Sequence, residues 1–264
     1  MKRRDKEPIE RITIERARAL YREPDVLAHY SNPDRNVDNE SFCRRELAML
    51  RDHVRDNGHV LVVGCAGGQE SFAFLRAGYT VTGVDIVPEF IEAARRHAKE
   101  KGFENQARFE VVDGFEWPVD DASCDAVSML ANFLIYLPSR AMRTAVFTEC
   151  MRVLKRGGVA LMEDEDRTHP SLKMRRKPDW EPDRSEDAEK KAEWNLKDEP
   201  GAFVAPGHPC SGHKNAKTLV PRYLADPREL WAEVEESGLR VIRVQTEQSP
   251  TEEGASVVIV AVKD

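Results

Sequence analysis

Five short apolar or β-branched runs, at 60–63, 79–85, 108–113, 125–130 and 159–163, are interleaved with helical patterns at 69–77, 88–101 and 139–154. Short buried strands separated by helices cannot pair as hairpins, so this rhythm restricts the region to βαβ units on a parallel sheet. A helical pattern at 227–237 then leads into two strands, 240–246 and 256–262, joined only by a polar loop. Consecutive strands without a helix between them pair antiparallel. The spacing therefore predicts an α/β sheet, mostly parallel, with an antiparallel final strand. Residues 1–58 read as a polar, helical cap segment, broken around Pro24 and Pro33 between 21 and 39. The α/β core covers 59–166, an insertion rich in proline and mixed charge covers 167–218, and 219–264 returns to complete the core.

Composition narrows the functional classes. Of 264 residues, 41% are hydrophobic and 33% charged, enough for a core under a highly charged surface. Forty Lys and Arg stand against 47 Asp and Glu, a net charge of −7, with Arg175-Arg176-Lys177 the one compact basic run in the insertion. Nucleic-acid binding draws on phosphate neutralisation by a basic face, so it is disfavoured. No apolar run reaches the ~18 residues of a membrane helix. The start, Met1-Lys2-Arg3-Arg4-Asp5-Lys6-Glu7-Pro8, has charge where a signal peptide would be apolar. Five scattered cysteines without a CxxC point to a reduced, cytoplasmic chain. The tract His208-Pro209-Cys210-Ser211-Gly212-His213 lacks a second well-spaced ligand pair, so no metal is expected.

Three successive strand ends carry the chemistry. The first strand runs into Gly64-Cys65-Ala66-Gly67-Gly68 and then a helix, a turn that brings backbone N–H groups close to a ligand. Asp85 ends the next strand, 17 residues beyond Gly68, where a carboxylate accepts both hydroxyls of an adenosine ribose. Asp113-Gly114 ends the third. Open α/β sheets bind ligands on this rim. A dinucleotide fingerprint fits less well, because Ala66 and Gln69 stand where G-x-G-x-x-G requires glycine.

With these residues the chain resembles the class I S-adenosylmethionine-dependent methyltransferases. The resemblance rests on the loop Gly64–Gly68, Thr82-Gly83-Val84-Asp85-Ile86 followed by Pro88, Val112-Asp113-Gly114, and Arg152-Val153-Leu154-Lys155-Arg156-Gly157-Gly158. It implies a Rossmann-like sheet of seven strands with helices on both faces and S-adenosyl-L-methionine as cofactor. By the same resemblance Gly64, Ala66 and Gly68 line the methionine moiety, Asp85 and its neighbour Ile86 hold the ribose, and Asp113 with Gly114 meets the adenine. The chain departs from the family pattern at Val62, where an acid is frequent, and at Ala66, whose methyl requires a negative φ.

On the acceptor side, Asn132 and Tyr136 are polar groups in the apolar run Ala131–Pro138. Asn132 reads as a cofactor or substrate contact, with loop closure as the alternative. The resemblance implies that an N-terminal segment closes over the cofactor and presents Tyr21 and Tyr30 to the sulfonium, the alternative being simple packing. Tyr30, Asn132, Tyr136 and His169 are the candidates for a role in the reaction, none forming a recognisable catalytic dyad. The acids 163–166 offer a site for a cationic amine or a base, or else a solvated strand end. The insertion reads as a substrate lid, with Trp180, Trp194, Leu196, Phe203 and Val204 as pocket walls, or else as a surface loop or dimer contact. A small-molecule methyltransferase acting on N, O or S is expected. A cofactor-binding protein with other chemistry, and a protein or RNA methyltransferase, stay open beside it, as does a homodimer.

Overall fold

The computed structural model describes residues 8–34, 40–130, 132–168, 184–206, 216–248 and 255–264. Three helices come first: α1 Pro8–Tyr21, α2 Pro24–Ser31 and α3 Glu40–His53. The alternating core follows as β1 His59–Val63, α4 Gln69–Arg76, β2 Thr80–Asp85, α5 Pro88–Glu100, β3 Ala107–Val111, β4 Cys124–Met129, a 3₁₀ turn Phe133–Tyr136, α6 Arg140–Val153 and β5 Leu154–Glu165. Then come α7 Arg184–Glu193, β6 Ala202–Pro206, β7 Leu219–Tyr223, α8 Pro227–Glu236, β8 Arg240–Gln248 and β9 Ala255–Val262.

Seven strands form one sheet in the order β3-β2-β1-β4-β5-β9-β8. The first five pair in parallel, and β9 runs antiparallel between β5 and β8. Alternation within each strand fills both faces. Leu61, Val63, Ala160 and Met162 enter one buried cluster, whereas Val60, Val62, Val159 and Leu161 enter the other. Burial on both faces is why these runs read as continuous hydrophobic stretches. The sheet order reverses between β1 and β4, which opens a crevice at the carboxyl ends of the strands.

Two elements differ from the sequence expectation. The broken segment at 21–39 contains α2, started by Pro24 at its first turn, where a missing N–H costs nothing. Pro24 opens a helix there instead of interrupting one. The insertion contains α7 and also β6, which pairs antiparallel with β7 across the 218/219 boundary. Tertiary contact explains both: β7 lies against α1 and the 3₁₀ turn, and Trp194, Leu196, Ala202 and Val204 bury against Ile9 and Ile12. Glu23, at the α1–α2 junction, accepts hydrogen bonds from Thr218 Oγ1 (2.6 Å), Thr218 N and Lys217 N. Burial raises its pKa, but these donors outweigh it and hold the carboxyl below its ordinary value. A buried ion pair, Arg143 Nε and Nη2 to Glu233 at 2.6 and 2.9 Å, joins α6 to α8. The same arginine donates to Leu137 O at 3.0 Å and so ties down the end of the 3₁₀ turn.

Candidate functional site

The crevice is a cavity with about 960 Å³ of space, counted out through its open mouth. Its floor comes from four strand ends: Val63, Gly64 and Ala66; Val84, Asp85 and Ile86; Val112, Gly114 and Phe115; Leu130, Asn132 and Phe133. The N-terminal segment closes it with Ala17, Tyr21 and Tyr30, and Tyr136, Leu137 and Met142 form the far wall.

The glycine turn is held by backbone contacts. Gly64 N and Cys65 N both donate to Val84 O, at 2.9 and 3.1 Å, while Gly64 adopts φ +71° and Gly68 φ +99° at the start of α4. A side chain at Gly64 would stand 3.0 Å from the Phe133 ring. Ala66 takes φ +45°, so the expectation of a negative φ there is corrected. The strained conformation persists because Ala66 N donates to Asp85 Oδ2 at 2.9 Å. Gly67 matters for space: a Cβ there would come within 2.5 Å of Ser31 O, because α2 ends directly on the loop and Gly67 N donates to Tyr30 O.

Asp85 is 7% exposed and accepts from Val87 N as well as Ala66 N, both at 2.9 Å. Burial pushes its carboxyl up to about 6, against the pull of the backbone donors and Arg18. It is a buried acceptor on the cavity wall with lone pairs still available for hydroxyl donors.

Asp113 stands elsewhere. Its side chain is 57% exposed and pairs at 3.0 Å with Arg18 Nη2, which also donates to Val112 O, while Arg18 Nε donates to Ile86 O. Val112 and Gly114 line the cavity, and Asp113 does not. Gly68 shapes the turn from outside the lining. Gly64, Ala66, Asp85, Ile86, Gly114, Asn132, Tyr21, Tyr30 and Tyr136 do converge on the cavity. His169, Trp180 and the tract 207–213 lie outside the described residues.

Asn132 adopts φ +61° at the head of the 3₁₀ turn, a left-handed conformation that asparagine tolerates well. Its residue type thus answers a backbone demand as well as lining the cavity. Tyr21 donates to Tyr136 Oη at 2.8 Å, and its ring meets those of Tyr30 and Tyr136 at 5.3 and 5.7 Å. Burial, first among several causes, raises the Tyr21 hydroxyl well above its usual value, so it stays protonated.

Two acceptor-side expectations are corrected. Glu163, Asp164, Glu165 and Asp166 are all buried, so they are neither a solvated strand end nor part of the cavity lining. Asp164 Oδ1 accepts from Glu165 N, and burial raises its carboxyl well above the usual range. Trp194, Leu196 and Val204 pack on α1 and do not line this cavity.

The sequence reading missed Thr13, Ile14, Ala17, Phe115 and Met142. The α1 signal was present in the spacing of 10, 13, 14, 17 and 20, one helical face whose Glu10 and Thr13 are buried with the apolar residues.

A family model described as a methyltransferase domain matches residues 60–158. A ubiquinone biosynthesis O-methyltransferase of Xylella fastidiosa is 36% identical over 111 residues, 41% of this chain and 42% of that protein. One from Xanthomonas oryzae pv. oryzae is 34% identical over 145 residues, 55% of this chain and 54% of that one. The matches thus span about half the length of these relatives. Among solved structures, a SAM-dependent methyltransferase from Methanosarcina mazei superposes with TM-score 0.63 at 25% identity, covering 81% of this chain and 96% of that one. The Burkholderia thailandensis 1,6-didemethyltoxoflavin-N1-methyltransferase, with its substrate and S-adenosylhomocysteine bound, has the same fold at TM-score 0.61 and 17% identity, covering 100% and 93%.

Proposed function

The chain carries a methyltransferase domain of the class I S-adenosylmethionine-dependent family, and from that premise we propose that it transfers a methyl group from S-adenosylmethionine to a small-molecule acceptor. The observation that carries the reading is Asp85, a carboxylate buried at the end of β2 on the wall of a largely apolar cavity beside the glycine turn.

The lining suits that cofactor. Asp85 would accept the ribose hydroxyls, and Ile86, Val112, Gly114 and Phe115 would hold the adenine. Gly64 and Ala66 border the methionine portion. Tyr21, Tyr30, Phe133 and Tyr136 bring four aromatic rings to the cavity, and a sulfonium cation is favoured electrostatically over a ring face. With Asp113 tied to Arg18, the adenine edge is left to the backbone of 112–114. When bound, S-adenosylmethionine supplies a methyl group open to in-line displacement. The protein's part is alignment and exclusion of water, and good alignment alone is worth ~7–11 kcal/mol. Tyr21, held protonated and paired with Tyr136, positions groups and does not serve as a base.

The matched segment 60–158 is the donor half. α1, β6 and β7 lie outside it, so an O-methyltransferase relative does not carry its acceptor across. Three buried free cysteines, Cys65, Cys124 and Cys150, fit a reducing cytoplasm, and among the described residues no helix is long and apolar enough to cross a membrane. Calorimetric titration with S-adenosylhomocysteine tests the premise. Methyl-labelled cofactor incubated with a metabolite extract tests the transfer: label in a new small product is expected, and a folded protein that binds no S-adenosylhomocysteine refutes the reading.

A further inference from the structure

The cavity wall carries two carboxylates and, among the described residues, no lysine, arginine or histidine. One is Asp85, at the end of β2. The other is Glu70, in the first turn of α4 and only 6% exposed. Burying a carboxylate is costly unless hydrogen-bond donors or a cation compensate. For Asp85 the compensation includes two backbone N–H groups. Glu70 gains from the positive end of α4, which favours an anion in the first turn. Two negative groups on the wall of a largely apolar cavity select a ligand that brings positive charge.

The place of Glu70 says which charge that is. Gly64 and Ala66 line the same cavity, and Cys65 between them senses both acids. Burial raises the Cys65 thiol well above its usual value, and Asp85 and Glu70 raise it further. The two carboxylates thus flank the glycine turn, Asp85 from β2 and Glu70 from α4. S-adenosylmethionine carries two cationic centres, the sulfonium and the α-ammonium. The sulfonium has no N–H to donate and is served by the aromatic rings. The ammonium has three N–H donors, and a carboxylate accepts them with charge assistance. With Asp85 given to the ribose, Glu70 is the lining anion that is left for the ammonium.

We propose that Glu70 binds the α-ammonium of S-adenosylmethionine and so fixes the methionine end of the cofactor against the glycine turn. The inference rests on the methyltransferase reading. A cationic acceptor is the competing ligand for this carboxylate. It is disfavoured because α4 opens directly from the turn that borders the methionine portion, with Gly68 its N-terminal cap.

The test is calorimetry on the full chain with three probes: S-adenosylhomocysteine, its deamino analogue with hydrogen in place of the ammonium, and 5′-methylthioadenosine, which lacks the whole amino-acid portion. The wild type is expected to bind S-adenosylhomocysteine about tenfold or more tightly than the deamino analogue. Glu70→Gln is expected to lose most of that preference while binding 5′-methylthioadenosine as the wild type does. Failure of the wild-type chain to bind S-adenosylhomocysteine strikes the underlying reading. Binding of S-adenosylhomocysteine and its deamino analogue with equal affinity overturns the Glu70 assignment alone. So does a Glu70→Gln variant that keeps the full preference, which would leave Glu70 to the acceptor, or one that loses 5′-methylthioadenosine equally, which would mark a structural role in the turn. If the variant does not fold, a crystal structure of the wild-type complex decides. An ammonium nitrogen within about 3.2 Å of a Glu70 oxygen supports the assignment, and one turned elsewhere overturns it.

Discussion

Asp85→Asn is expected to separate stability from ligand binding. In the wild type each carboxylate oxygen accepts one backbone N–H, from Val87 and from Ala66. Asparagine keeps one acceptor and turns an NH₂ toward the other donor, which strands a buried N–H at about 1–3 kcal/mol. Against this, the substitution removes a buried charge. The rise of the Asp85 carboxyl from 3.8 to about 6 corresponds to about 3 kcal/mol of penalty on the ionised form at neutral pH. The two effects nearly offset, so the melting temperature of the ligand-free protein should move little. Binding behaves differently. Two charge-assisted hydrogen bonds to ribose hydroxyls, about 1.5–3 kcal/mol each, become neutral or are lost, and together they amount to roughly 10²–10⁴-fold in Kd. Calorimetry with S-adenosylhomocysteine at pH 7.5 and a thermal melt of the same samples read both quantities. A loss of affinity below tenfold refutes the ribose assignment. A drop in melting temperature of more than about 6 °C, at ~2–4 °C per kcal/mol for a chain near this size, refutes the offset.

Proton linkage at the same residue should appear in a pH series. Because the folded carboxyl is raised, its contribution to ligand-free stability is present below 3.8 and is lost as pH rises through about 6. S-adenosylhomocysteine affinity should run the other way, level above pH 7 and falling up to tenfold per unit below about 6; a flat calorimetric profile from 5 to 7.5 contradicts it. Gly67→Ala should push the end of α2 off the glycine turn, costing about 1–3 kcal/mol by overpacking and weakening S-adenosylhomocysteine binding as Tyr30 shifts; equal melts and affinities would count against that contact. Asn132→Gly keeps the left-handed backbone and deletes the side chain, so near-normal binding of S-adenosylhomocysteine assigns Asn132 to the turn, and a tenfold loss assigns it to the ligand. Glu233→Ala strands the buried Arg143 fork and should cost about 3–5 kcal/mol in chemical denaturation, with Arg143→Met in the same chain restoring most of it.

The strand–helix alternation, the antiparallel close and the glycine turn were legible because they are local. Strands buried on both faces must read as continuous apolar runs, and a backbone turning sharply before a helix must use small residues. The order Gly64–Gly68, Asp85, Asp113 along the rim follows from parallel pairing, so the sequence by itself determined the sheet and the end of it that faces the ligand. It did not determine which rim residues reach the cavity. Asp113 is turned aside by Arg18, which lies 95 positions away on α1. Gly67 has no room for a side chain because α2, remote in sequence, ends against it. Ala66 holds its positive φ because a carboxylate 19 positions on accepts its N–H. Arg222 looks like any surface arginine until β7 pairs with β6 and presses it on Tyr136. Each of these depends on contacts between segments far apart in the chain. Local periodicity reports which face of an element is buried, and only tertiary packing decides what it is buried against.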